Sequence, residues 1–181
     1  QLPTKAHAAK GTCRVWRRGW KETLKKRERP RLVVIGGQDS EGGTVNSLER
    51  YDPSTNEWEE EAVAPMPTAR RYVGMAVLDG KLYAVGGCNN DDGFLSSVER
   101  YDLALNAWEA VTPMASARYE PAAAALDGKL YAVGGYNDDD DGLASVARYD
   151  PATNAWEAVA PMATERSDHG VAVLDGKLYA V

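Results

Sequence analysis

The sequence predicts an all-β fold assembled from repeated four-stranded units, and three observations carry that prediction. The octapeptide Leu78-Asp-Gly-Lys-Leu-Tyr-Ala-Val85 returns letter for letter at Leu126–Val133 and Leu174–Val181. Around it, in fixed order, stand Gly-Gly pairs (36–37, 86–87, 134–135), Tyr-Asp pairs at Tyr51, Tyr101 and Tyr149, and Trp58, Trp108 and Trp156, then Pro-Met pairs and Arg70, Arg118 and Arg166. The octapeptide itself places Asp-Gly, the dipeptide of a type I′ hairpin turn, between two apolar runs.

Each element of the unit follows from its residues. Tyr72–Leu78 is mostly apolar and reads as a first strand, Asp79-Gly80 turns the chain, and Lys81–Val85 returns as a second. After Gly86-Gly87 comes a polar loop, then Ser97–Tyr101 alternates as a third strand. A turn over 102–106 leads into a fourth at Ala107–Val111, which Pro113 ends because proline cannot donate to a ladder. Four short strands cannot bury both faces alone, but stacked radially as the blades of a propeller they can. Tyr101, Trp108, Tyr149 and Trp156 then read as aromatics packed between blades. The glycine pairs read as points of close backbone approach or positive φ; a phosphate cradle would need a helix N-terminus.

The strand count is three over 32–63, four over 72–111, four over 119–159 and two over 170–181. That is a partial β-propeller of about three four-stranded antiparallel blades plus one extra strand, with the ring not closed within this chain. Propellers close with about four to eight blades. The expectation is therefore a piece of a longer propeller, whose open faces and edges favour self-association.

A period of 50 and then 48 residues, with a double glycine and a separated Tyr and Trp, is the kelch pattern. The chain resembles kelch-repeat proteins over residues 32–181, with repeats at about 32–69, 70–117, 118–165 and a partial 166–181. On Val98-Glu-Arg-Tyr-Asp102 and Leu78–Gly87 it is most similar to the kelch propeller of the Kelch-like (BTB-BACK-kelch) family. That resemblance implies a protein-interaction module rather than an enzyme: the substrate-recognition propeller of an adaptor for a cullin-based ubiquitin ligase. An actin-binding or scaffolding kelch protein with no ligase link is the alternative, since fold alone does not choose. In that family the cullin is held by the BTB domain with part of BACK, so a cullin partner is expected only through domains absent from this chain.

Residues 1–31 differ in kind. Eleven Lys and Arg against Glu22 and Glu28 give them a net charge of +9, which leaves −15 for the rest of a chain whose net charge is −6. They read as a disordered basic linker or tail, with Lys25–Arg31 as a nuclear-import or nucleic-acid patch or the remnant of a mispredicted coding region as alternatives. Trp16 and Trp20, with Val15 and Leu24, could form a short amphipathic helix. No run has signal-peptide or membrane-spanning length, so no membrane partner is expected. Nucleic acid is disfavoured by the acidic remainder. A cytoplasmic or nuclear location is the expectation, consistent with two cysteines, Cys13 and Cys88, in different segments.

No cofactor or metal site is expected. The histidines are His7 and His169. With the two cysteines they show no zinc spacing, and His169 reads as a loop residue rather than a catalytic base. Copper oxidases with kelch-like blades need converging Tyr and His ligands, which His169 alone cannot supply. Cys88 reads as an inert small residue, with an exposed thiol as the alternative. Asn137-Asp-Asp-Asp-Asp-Gly142 fits the first positions of an EF-hand, but Arg148 stands where the bidentate Glu must be. A solvated acidic loop is the better account, with weak cation binding as the alternative.

If consecutive strands are antiparallel, the loops after Gly-Gly and the loops after Pro-Met emerge at one end. These vary between copies while the opposite turns hardly do, and loops on a rigid scaffold are where binding sits. In the Kelch-like resemblance this face takes substrate peptides at residues just past the loop arginine. Carried over by position, that nominates Tyr72, Glu120 and Asp168, while Arg70, Arg118 and Arg166 read as structural. Asp91, Asp92, Asp138, Asp139, Asp140 and Asp141 are added as an acidic rim, and Arg71 as the chief extra cation. A protein or peptide target with basic residues is the expectation; loop solvation alone, with Tyr72, Tyr119 and Tyr136 as neutral contacts, is the alternative.

Overall fold

The computed structural model describes residues 32–59, 64–138 and 142–181. The Trp16–Trp20 helix, the basic run and Asp139–Asp141 lie outside them. By their contacts, residues 51–58 form a unit apart from residues 33–50 and 59–181. Within the short unit, the Tyr51 hydroxyl donates to Asn56 Oδ1 at 2.9 Å and the Tyr51 and Trp58 rings lie 5.3 Å apart.

In chain order the strands are β1 (Leu32–Gln38), β2 (Thr44–Asp52), β3 (Glu57–Glu59), β4 (Gly74–Leu78), β5 (Lys81–Val85), β6 (Cys88–Asn89), β7 (Gly93–Phe94) and β8 (Val98–Asp102). They continue as β9 (Ala107–Val111), β10 (Ala122–Leu126), β11 (Lys129–Val133), β12 (Val146–Asp150), β13 (Ala155–Val159), β14 (Val171–Leu174) and β15 (Lys177–Ala180). The sheets are β1-β2-β3, β4-β5-β8-β9, β10-β11-β12-β13 and β14-β15, with β6-β7 as a separate ribbon. All described residues in regular structure are strands, and the blades carry three, four, four and two of them, the predicted partial kelch propeller. The β6-β7 ribbon departs from the expected polar loop: Cys88 pairs with Phe94 and Asn89 with Gly93.

The hairpin turns obey the octapeptide. Asp79 and Gly80 have φ of 50° and 73°, and Asp127 and Gly128 have 50° and 69°, the two left-handed residues of a type I′ turn. At the other turn of each complete blade, Asp102 Oδ1 and Asp150 Oδ1 accept the amides of Ala104 and Ala152, both at 2.9 Å. Asn106 and Asn154 take the left-handed conformation that asparagine tolerates, at φ 48° and 51°. Their Oδ1 atoms accept from the Tyr101 and Tyr149 hydroxyls at 2.6 and 2.8 Å and from the amides of Ala64 and Thr112 in the preceding blade connection.

Two apolar layers lie between sheets. One gathers Leu48, Met66, Ala84 and Tyr101, with Ile35 and Trp108 at its margin. The next gathers Tyr83, Val85, Val98, Leu130, Ala132 and Tyr149, with Trp156 at its margin. The tyrosines are buried as expected, whereas the tryptophans are half-buried and act as lids: Trp108 Nε1 donates to Ala64 O at 2.9 Å and Trp156 Nε1 to Thr112 O at 2.8 Å. Trp156→Ala is expected to cost about 3 kcal/mol, the low end for a buried aromatic, and Trp156→Phe about 1 kcal/mol for the lost hydrogen bond. Urea unfolding measures both; equal losses would place the indole's worth in its N–H alone.

Two of the three loop arginines, Arg70 and Arg118, join the blades; Arg166, also expected to be structural, is held by the preceding blade through its main chain, where its O accepts from Gly135 N at 2.8 Å, but its side chain is exposed. Arg118 N donates to Leu95 O and Arg118 O accepts from Gly87 N at 2.8 Å, both in one blade, while its side chain reaches the next. There Nη1 donates to Gly134 O at 2.8 Å and Ser145 O at 3.0 Å, and Nη2 to Ser145 Oγ at 2.9 Å. Arg70 repeats every bond one blade earlier, with Gly37 N, Gly86 O and Ser97, and adds a 3.1 Å ion pair to Glu99, whose carboxylate also accepts from Thr68 Oγ1. Ala147 stands where Glu99 stands, so Arg118 is buried without that carboxylate, and burial pushes its guanidinium below the usual arginine range. The glycine pairs exist for this contact: a Cβ on Gly86 would lie 2.5 Å from Arg118 O, and Gly86 itself has φ 62°. Arg118→Met leaves the Gly134 and Ser145 carbonyls without these donors. The expected loss is about 2–6 kcal/mol, read as a lower urea midpoint at unchanged slope.

Candidate protein-interaction face

Backbone bridges hold the two variable loop sets together. Arg71 pairs with Cys88 and Tyr119 with Tyr136, each a residue after the structural arginine paired with the residue after Gly-Gly. Glu120 N further donates to Tyr72 O at 3.2 Å, tying one blade's loop to the next. The loop after Gly-Gly and the loop after Pro-Met therefore share one end of residues 33–50 and 59–181.

Tyr72, Glu120 and Asp168, the residues nominated by position, occupy one backbone geometry, with φ of 55°, 52° and 47°. Tyr72 is exposed, Asp168 is exposed and Glu120 is half-buried. Around Tyr72 gather rings that position alone did not assemble: Tyr72 and Tyr119 lie 4.9 Å apart, Phe94 stacks on Tyr119 at 4.9 Å and 20°, and Tyr136 lies 6.0 Å from Tyr119. Phe94 was missed. Its signals were that it is the sole phenylalanine of the chain and sits in a variable loop. Burial, with Glu120 and Tyr72 as hydrogen-bonding neighbours, pushes the Tyr119 hydroxyl well above the usual phenol range.

Arg71 is partly engaged: its Nη1 donates to Thr44 Oγ1 at 3.0 Å and Asn90 Oδ1 at 2.7 Å. Asp91 and Asp92 are exposed at the tip of the β6-β7 ribbon, where Asn89 Oδ1 caps both of their amides. Asp138 is exposed; Asp139, Asp140 and Asp141 fall outside the described residues. Among the described residues, no three His, Cys, Asp or Glu side chains gather as a metal site.

Cys88 is buried, which corrects the exposed-thiol alternative; burial outweighs the nearby Arg71 and raises its thiol above the ordinary range. His169 sits beside Arg166, its ring nitrogens buried without partners, and burial holds it below the usual imidazole range. In a Cys13→Ser background, Cys88 is expected to react with a thiol reagent at least about 100-fold more slowly than after unfolding in urea, since thiolate and access are both withheld. Comparable rates would place the sulfur at the surface.

Human Kelch-like protein 33 is 47% identical to this chain over 55 residues, 29% of the chain and 10% of that protein. Mouse Kelch-like protein 40 is 40% identical over 52 residues, 29% of the chain and 8% of that protein. The matches thus span a tenth or less of the curated relatives' length. The profile of the KLHDC2/KLHL20/DRC7 Kelch-repeats domain matches residues 5–181, nearly the whole chain. With the Gly-Gly, Tyr, Trp and arginine positions repeating blade by blade, the chain belongs to this family of kelch-repeat domains, a protein-interaction module.

Proposed function

We propose that this chain is the substrate-recognition propeller of a Kelch-like adaptor for a cullin-based ubiquitin ligase, with its target held on the face of Tyr72, Glu120 and Asp168. The observation that carries the reading is the contrast between the two ends of the blades. The Asp-Gly hairpins and the asparagine turns repeat the same bonds copy after copy, so their residues are taken up by the fold. At the opposite end, Tyr72, Glu120 and Asp168 change side chain on one left-handed backbone geometry, which leaves those positions to a partner rather than to the fold. The similarity to Kelch-like proteins 33 and 40 supports the adaptor role; in this proposal cullin contact falls to BTB and BACK domains rather than to the propeller.

The test places residues 32–181 in the propeller position of a BTB-BACK-kelch protein and identifies proteins ubiquitinated in a reconstituted cullin reaction. Ubiquitinated targets are expected with the native face. They are expected to disappear with Tyr72→Ala, Glu120→Ala and Asp168→Ala combined, and to persist when Asp79 and Asp127 on the opposite hairpins become Asn. Cosedimentation with filamentous actin and no ubiquitinated target would favour a scaffolding kelch protein instead.

A further inference from the structure

The ring cluster on this face carries an inference about the partner's chemistry, and it rests on the loop-face reading above. Tyr72, Phe94, Tyr119 and Tyr136 come from separate loops of two blades, yet their centroids fall within 4.9 to 6.0 Å of a neighbour. Tyr72 is 48% exposed, so a large part of its ring is not packed. It also holds φ 55°, a region bulky side chains enter at a cost. Glu120 and Asp168 share that φ, so the backbone geometry belongs to the repeat and does not itself call for an aromatic ring at Tyr72. The strain and the exposure together point to a contact made outside the chain.

The charges around the rings decide its sign. Glu120 adjoins Tyr119, Asp92 lies two residues before Phe94, and Asp138 two residues after Tyr136. Asp91, Glu165 and Asp168 are exposed in the same loops. Against them stand Arg166 and an Arg71 already bonded to Thr44 and Asn90, while Arg70 and Arg118 are buried inside the blades. Carboxylates beside π faces favour a cation, and a planar guanidinium stacks on rings better than an ammonium. An anionic peptide would find two of the three loop arginines, Arg70 and Arg118, buried inside the blades, with Arg166 outnumbered by the exposed carboxylates.

We propose that the Tyr72, Phe94, Tyr119 and Tyr136 cluster receives an arginine side chain of a peptide partner, its guanidinium stacked on the rings and its charge met by Glu120, Asp92 and Asp138. The probes are acetylated, amidated Gly-Gly-Arg-Gly-Gly and its Lys, Glu and Leu counterparts, titrated into the full chain with labelled Tyr and Phe rings followed by NMR. The arginine peptide is expected to shift the Tyr72, Phe94 and Tyr119 rings saturably, the lysine peptide more weakly, and the other two not at all. Tyr72→Asn, which relieves the left-handed backbone, is expected to raise the melting temperature while weakening the arginine peptide about 5-fold or more. Glu120→Gln, which keeps the rings, is expected to weaken it and flatten its salt dependence.

Equal shifts of these rings by the Leu or Glu peptide would overturn the arginine assignment and leave the loop face standing. Arginine-peptide shifts confined to the Asp-Gly hairpins would overturn both. Shifts with no peptide, or binding unchanged in both variants, would overturn the arginine assignment alone.

Discussion

An arginine that opens a repeat, Arg70 or Arg118, belongs to two blades at once, and the rest of the fold hangs on that fact. Its main chain is taken up by the blade before it, where Gly87 N or Gly37 N finds its partner, and its side chain by the blade it introduces. Two consequences follow from the geometry. The second glycine's N–H must approach the arginine carbonyl at 2.8 Å, which leaves no room for a Cβ on its neighbour. The guanidinium must be buried, so the carbonyls of Gly86 and Ser97, or of Gly134 and Ser145, must turn inward to meet it. Glycine pair, serine and arginine are therefore one unit of chemistry distributed along each repeat.

That joint also sets where variation is permitted. Tyr72, Glu120 and Asp168 follow the arginine by two residues and inherit a left-handed backbone from it, whatever their side chains. The aromatic cluster stands on this borrowed rigidity. The bridges Arg71–Cys88 and Tyr119–Tyr136 continue the clasp outward, so the loop ends are pinned where the side chains diverge.

Much of this was legible in the sequence because the octapeptide recurs among the same neighbours in fixed order, and Asp-Gly between apolar runs leaves few alternatives. The blade count, the turn chemistry and the structural part played by Arg70 and Arg118 all followed from repetition. Repetition was silent wherever copies differ. It could not show that Glu99 pairs with Arg70, because Ala147 at the matching place makes the carboxylate look incidental. Nor could it show the ribbon of Cys88–Asn89 and Gly93–Phe94, which among the described residues occurs in one loop and carries Phe94 onto Tyr119. The half-burial of the tryptophans was hidden for another reason: their indole N–H groups answer a carbonyl in the preceding connection, a partner 44 residues away.

The shared arginine has a temporal side. During synthesis a finished four-stranded sheet still has an unsatisfied amide at its second glycine until the chain has been made as far as the next repeat's arginine. Folding on the ribosome would then advance in steps, each blade waiting on the first residues of its successor before it locks. A pause once an arginine has emerged from the ribosome would let a blade seal before the next one competes for its edge, and a pause before it emerges would leave the blade ajar.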